Sequence, residues 1–365
     1  MRDPAPRDAA PRSRAAGAPP SSAPGPAPLL ARRLVIVTGK GGTGKTTVAA
    51  TLALAAAAAG RRVLVAEVGA DEHLPAILAR SPGTPPTVGY EGRELAKGLL
   101  AMRIDPYEAL AEYLGLQIGL RGVVRRVLRN PGFRQLMDAS PGWRELITLG
   151  KIWHLEQMQD EPARGRGPKP AEATHRFDLI VVDAPATGHG LTFLDVPRVV
   201  GSAVHAGPLR RHAGWVEAMI RDPERTLLLP VALAEELPVR ETVELVARLR
   251  DQVGVAVDRV VVNAVTPPPF PPGVPDLDER LASLPAGLSL PGAPAPSTLA
   301  ACAAHLRARH ELNRRWTGEI GSAVGLPVVV LPRLPRGIGG PEDLETLTGP
   351  LLAAPRPAAP VGDPA

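Results

Sequence analysis

A chain of 365 residues with 44% hydrophobic content has material for one large α/β domain or two smaller ones, and an aromatic share of 3% leaves the core to Val, Leu, Ile and Ala. The net charge is +5, but Arg121, Arg125, Arg126 and Arg129 have no aromatics between them, so they read as a solvated helix face and no nucleic-acid partner is expected. A single cysteine, Cys302, excludes an intrachain disulfide and any centre needing several thiolates from one subunit.

Residues 1–31 are nearly all Pro, Ala, Ser, Gly, Arg and Asp, and residues 353–365 are similar. Such segments bury too little apolar surface to offset their ordering entropy, so both are expected to be disordered flanks of a domain over 32–352. No signal-peptide apolar region precedes Arg32-Arg33, and no uninterrupted run reaches the roughly 18 apolar residues of a membrane span. A cytoplasmic protein without a stable membrane span is expected.

Leu34 to Thr38 is a β-branched run with the character of a buried parallel strand. Thr46 to Ala59, rich in Ala and Leu and closed by Gly60, reads as a helix, and Val63 to Val68 as a second strand. From about Leu95 to Met158 apolar residues recur at three and four, which predicts a helical insert over 95–160. A polar linker is expected over 160–176. Strands are expected at Leu179 to Asp183, Arg225 to Leu233 (its second half weakened by Pro230), Arg259 to Val262 and Val328 to Leu331. A helix is expected over Glu241 to Arg250, and a proline-rich loop over 266–297 holds a helical turn near Leu277 to Leu284. Strands alternating with helices predict a doubly wound, mostly parallel α/β sheet of P-loop NTPase type with an inserted helical subdomain.

Gly39-Lys40-Gly41-Gly42-Thr43-Gly44-Lys45-Thr46 fits G-x-x-x-x-G-K-[ST], with a strand before it and a helix after it. Glycines let backbone N–H groups curl around phosphate oxygens, and the following helix N-terminus adds its dipole. Lys45 is placed for the β- and γ-phosphates and Thr46 for Mg²⁺, which makes ATP with Mg²⁺ the expected ligand. Lys40 falls on the solvent side of this loop, and spacing alone leaves it either an idle surface charge or a functional one.

With Thr47, the stretch GKGGTGKTT is similar to the deviant phosphate loop, KGG-x-GKTT, of the dimeric ATPases that include the arsenite-pump and tail-anchored-protein-targeting enzymes. That resemblance implies a homodimer in which Lys40 reaches the other subunit's phosphates. FDLIVVDAPATGHGLTFL, Phe177 to Leu194, resembles the second switch of the same branch, with Asp183 implied as a Mg²⁺ partner and Pro185 one place early. AEELPVRET, Ala234 to Thr242, resembles a segment that maps a nucleotide-contacting glutamate onto Glu235. VVNAV maps the adenine-reading asparagine onto Asn263, and VLPRLPRGIGGPEDL resembles the closing stretch. The chain is thus identified as a member of the arsenite-pump/tail-anchored-targeting (anion-transporting) ATPase family.

Departures from that pattern shape the expected function. Gly69 falls where the family's first switch carries an aspartate that orients the attacking water; Glu67 and Asp71 flank it as the two carboxylates that could reach the water, with Asp71 the candidate base. A zinc site needs about four ligands, so the lone Cys302 supports neither a metal-linked dimer nor an arsenite site, and it rules out an iron–sulfur reductase. The insert's apolar residues (Leu110, Leu114, Leu116, Phe133, Leu136, Leu146) read as its own core. The leading expectation is a Mg-ATP-hydrolysing dimer whose nucleotide state opens and closes a helical surface for a hydrophobic or protein client. The alternative is a nucleotide-gated binding protein with little hydrolysis; a partition-type ATPase on DNA or membrane lacks the anchor it would need.

Overall fold

The computed structural model describes residues 29–69, 71–79, 87–118, 121–139, 142–160, 175–186, 190–270, 277–285, 288, 292 and 294–353. The first strand, β1 (Leu34–Thr38), is wholly buried, feeds the glycine loop and leads into α1 (Lys45–Ala58) and β2 (Val63–Val68). A short α2 (Leu74–Leu78) follows, then β3 (Arg93–Ala96), β4 (Leu99–Ile104) and the helices α3 (Pro106–Ile118), α4 (Arg121–Leu128), α5 (Pro131–Asp138) and α6 (Trp143–Gln157). The chain returns through β5 (Leu179–Asp183), α7 (Gly190–Ala203), α8 (Pro208–Arg221), β6 (Thr226–Leu233) and α9 (Glu236–Arg248). It closes with β7 (Val260–Val265), α10 (Leu277–Ala282), α11 (Pro296–Val324), β8 (Val328–Pro332) and α12 (Pro341–Leu352).

These strands form one eight-stranded sheet in the order β3-β4-β2-β5-β1-β6-β7-β8, parallel throughout except for β3 against β4. The pleat of β1 explains its continuous apolar run. Val35 and Val37 pack with α1 and α12, while Leu34 and Ile36 face the opposite layer with α6, α7 and α8. Both faces are covered, so neither side of the strand can be polar. A third cluster, with Trp316 and Ile320 of α11 against Val239 and Val246 of α9, covers the β7 side.

Three departures from the sequence-based expectation have physical causes. The helices begin at Pro106, not near Leu95, because Leu99–Ile104 pairs in parallel with β2 from Val63↔Leu99 to Val68↔Ile104. That run is apolar enough to fit either period. The expected helix at Glu241 starts five residues earlier, at Glu236, since Pro238 lies in its first turn, where a missing N–H costs nothing. The strand through Pro230 is not weakened. Pro230 closes the pairing with β1, opposite Thr38, and pairing with β7 starts at the next residue, Val231↔Val261.

At the leader boundary, Leu29–Ala31 form one 3-10 turn that buries Leu29 in the core. The rest of the leader, most of the polar linker and the tail beyond Ala353 lie outside the described residues. Within the insert, Leu110 packs with Val124 and Leu128, flanked by Leu114 and Phe133, while Leu146 packs on Val196 and Ala213 of the neighbouring helices. The side chains of Leu116, Leu136, Arg121 and Arg125 are outside the described set; Arg126 and Arg129 are exposed. Among the described residues no helix is long and apolar enough to cross a membrane.

Candidate active site at the glycine loop

In an open parallel sheet, ligands bind beyond the carboxyl ends of the strands, beside the point where strand order reverses. Here β1 sits between β5 and β6, and the loop Gly39–Gly44 leaves its carboxyl end. Backbone crowding sets two of its glycines. A Cβ on Gly39 (φ +151°) would lie 2.2 Å from the Val231 carbonyl oxygen, and one on Gly44 (φ +88°) would lie 2.1 Å from Asn263 Nδ2. Only glycine fits both conformation and space.

The loop is closed by its own polar groups. Thr43 Oγ1 donates to the Lys40 carbonyl at 2.9 Å, and Lys45 Nζ donates to the same oxygen at 3.2 Å. Helix α1 begins at Lys45 with no side-chain cap, leaving its first-turn N–H groups for a ligand. Burial lowers the Lys45 pKa, with Asp183 opposing the shift.

Asp183 ends β5, in register with Val37 on one side and Glu67 on the other. Thr46 Oγ1 donates to its Oδ2, whereas its Oδ1 is buried with no partner among the described residues. Burial pushes the Asp183 carboxyl up to about 6, reinforced by the Glu67 carboxylate and opposed by Thr46, Lys45 and His73.

The loop after β2 replaces the expected aspartate with Gly69, and Asp71 on it is exposed. Glu67 is 4% exposed and accepts from the backbone N–H groups of His73 and Leu74 and from His73 Nδ1 at 2.7 Å. His73 is raised above the usual imidazole range by that bond.

Asn263 lies near the end of β7 and donates from Nδ2 to the Thr43 carbonyl at 2.9 Å. Next to it, Ala264 has φ 54°, where the β7–β8 register shifts between Val262 and Val265. A non-glycine residue in this region is unusual, and here the kink accompanies a side chain that lines a cavity. Asn263, Thr47, Glu235, Arg309 and Arg333 line a cavity of about 410 Å³ that opens beside Gly42. Glu235 faces it from the N-terminus of α9 and pairs with Arg309 at 3.1 Å.

The structure ties the loop Gly39 through Thr47 to Asp183 through Thr46 and to Asn263 through the Thr43 carbonyl. Gly42, Thr47, Asn263 and Glu235 share the adjoining cavity, and Asp71 is exposed on the loop after β2. Thr187, Gly188 and His189 lie outside the described residues. Sequence reasoning missed Glu241, which holds Lys40, and His73; the buried acid Glu67 inside an apolar strand was the signal that a partner was needed.

A family model described as an anion-transporting ATPase matches residues 32–207. Among known proteins, ATPase BagA of Mycobacterium tuberculosis is 32% identical over 331 residues, covering 87% of this chain and 92% of that protein. ATPase GET3 of Rhodotorula glutinis is 26% identical over 274 residues, covering 64% of this chain and 70% of that protein. An arsenical pump-driving ATPase of Escherichia coli is 27% identical over 249 residues, 63% of this chain and 39% of that protein.

Proposed function

The chain belongs to the anion-transporting ATPase family, and from that premise we propose that it binds Mg-ATP and hydrolyses it as a homodimer. One observation carries the reading most: the glycine loop, Lys45 and the Thr46–Asp183 pair meet where β1 and β5 end. The loop's N–H groups and Lys45 bind the triphosphate, and Asn263 and Glu235 bind the nucleoside in the adjoining cavity.

The donor set suits a divalent cation. Asp183 has a buried carboxylate oxygen with no partner among the described residues, and the Thr46 hydroxyl stands beside its other oxygen. Thr46 and Asp183 would hold Mg²⁺, which when bound neutralises charge on the β- and γ-phosphates. Lys40, in turn, acts on the phosphates of the second subunit, and α3 to α6 carry the surface for a hydrophobic or protein client. The reading puts this activity in the cytoplasm.

A second reading is motivated by Gly69: a nucleotide-gated binding protein that closes on ATP and seldom cleaves it. In the hydrolytic reading the loop after β2 must supply a group for the water, and Asp71 is one carboxylate on it. Steady-state phosphate release from Mg-ATP, with Lys45→Ala as blank, separates the two. Turnover above the blank that rises with protein concentration supports the dimeric ATPase. ATP binding without turnover supports the gated binder.

A further inference from the structure

The loop after β2 carries another polar group besides Asp71, and this one is held by a hydrogen bond. We propose that His73, held at Nδ1 by Glu67, presents its Nε2–H to the γ-phosphoryl oxygens during ATP cleavage. This role rests on the hydrolytic reading above. It gives the loop that carries Gly69 a hydrogen-bond donor to the phosphoryl group, four residues further along.

Geometry carries the assignment. Glu67 is buried in β2, in strand register with Asp183, the residue that meets Thr46 at the phosphate loop. Its carboxylate accepts the His73 and Leu74 backbone N–H groups at 2.8 and 3.1 Å and faces His73 Nδ1 at 2.7 Å. An ionised carboxylate can only accept, so Nδ1 carries the proton and the ring is oriented with Nε2 outward. The same carboxylate–imidazole arrangement elsewhere fixes a ring and stabilises its cation.

The two carboxylates that flank Gly69 are less suited. Both Glu67 oxygens are already engaged, and Asp71 is an exposed side chain with no hydrogen bond to fix it among the described residues. The His73 side chain is 66% exposed, so Nε2 is accessible to a ligand. The hydrogen bond to Glu67 favours the protonated ring against partial burial, and the charges of Glu67, Asp71 and Asp183 add to it. A cation there suits phosphoryl transfer, where charge spreads over the equatorial oxygens.

In the step itself, water oxygen bonds to the γ-phosphorus while the bond to the bridging oxygen breaks. The electron pair leaves on ADP, and the water proton departs with the product phosphate and solvent. His73 keeps its proton throughout and donates a hydrogen bond.

The test compares wild type, His73→Ala, Glu67→Gln and Asp71→Asn for kcat, KM and ATP affinity measured separately across pH. Because His73 is largely exposed, His73→Ala should fold. Its kcat should fall about 10²-fold, as on removal of one preorganised donor, with ATP affinity within a few-fold of wild type. Wild-type kcat should decline as pH rises through loss of the imidazolium. Glu67→Gln should move that limb to lower pH, and His73→Ala should lack it. Unchanged kcat in His73→Ala, or a loss confined to Asp71→Asn, overturns the assignment while leaving the ATPase reading intact. A wild type no faster than Lys45→Ala overturns both.

Discussion

Lys40 Nζ lies 2.5 Å from Glu241 Oε1, so the loop lysine that the resemblance assigns to a partner subunit is paired within its own chain to α9. Both side chains are more than a third exposed, and such surface pairs contribute about 0–1 kcal/mol. The pair is weak enough to break when a better anion appears. Glu241→Gln should therefore free Lys40 and lower the protein concentration for half-maximal ATP hydrolysis by up to about five-fold, the equivalent of such a pair. Weaker self-association in Glu241→Gln would instead make Glu241 a dimer contact in its own right.

Asp183 gives a pH-dependent prediction. Its folded-state value of about 6 is above the ordinary carboxylate range, so the folded protein holds this proton more tightly than the unfolded chain. The resulting stability is fully present below about pH 4 and is lost as pH rises through about 6. Above that, the metal-free protein carries a buried charge, one oxygen of which has no partner among the described residues. Asp183→Asn should be more stable than wild type at pH 8 in chelator, by on the order of 1–3 kcal/mol, and inactive. Urea unfolding at pH 4 and pH 8 checks this: the difference between the two proteins should shrink at the lower pH.

Substitutions at the two crowded glycines should separate stability from binding. Gly39→Ala puts its methyl against the Val231 carbonyl, part of a central strand that cannot move cheaply, and should cost roughly 2–4 kcal/mol of stability. Gly44→Ala meets the Asn263 amide, which can swing aside. Its strain from φ +88° is about 1–2 kcal/mol, and the larger loss should appear in ATP affinity. Equal melting temperatures for the two variants would contradict the packing argument.

Asn263 links the loop to the adjoining cavity, proposed above for the nucleoside, through its 2.9 Å bond to Thr43. Asn263→Ala should weaken ATP binding roughly ten-fold and erode preference over GTP, with unfolding free energy changed by about 1 kcal/mol or less. Competition binding with the two nucleotides measures both effects.

How much of this was legible in sequence depends on how local the cause was. β1, β2 and β5 could be read because strands covered on both faces are continuously apolar, and the glycine loop because its geometry needs glycine at fixed spacing. β4 was hidden because an apolar run fits a helix or a strand until its partner is known; pairing with β2 decides it. The Lys40–Glu241 contact spans 201 residues, so no window of sequence contains it. Glu67 and His73 are six residues apart, yet their contact depends on the turn after β2 folding back on the strand.

The central claim, that Lys40 completes the site of a second subunit, has a direct test in subunit mixing. Lys40→Ala and Asp183→Asn should each be inactive alone. Exchanged together, half the dimers would pair an Asp183-intact site with a donated Lys40, restoring up to about a quarter of wild-type ATP turnover. Recovery of that size is the predicted result. No recovery despite proven subunit exchange would show that Lys40 acts within its own chain, contradicting the account.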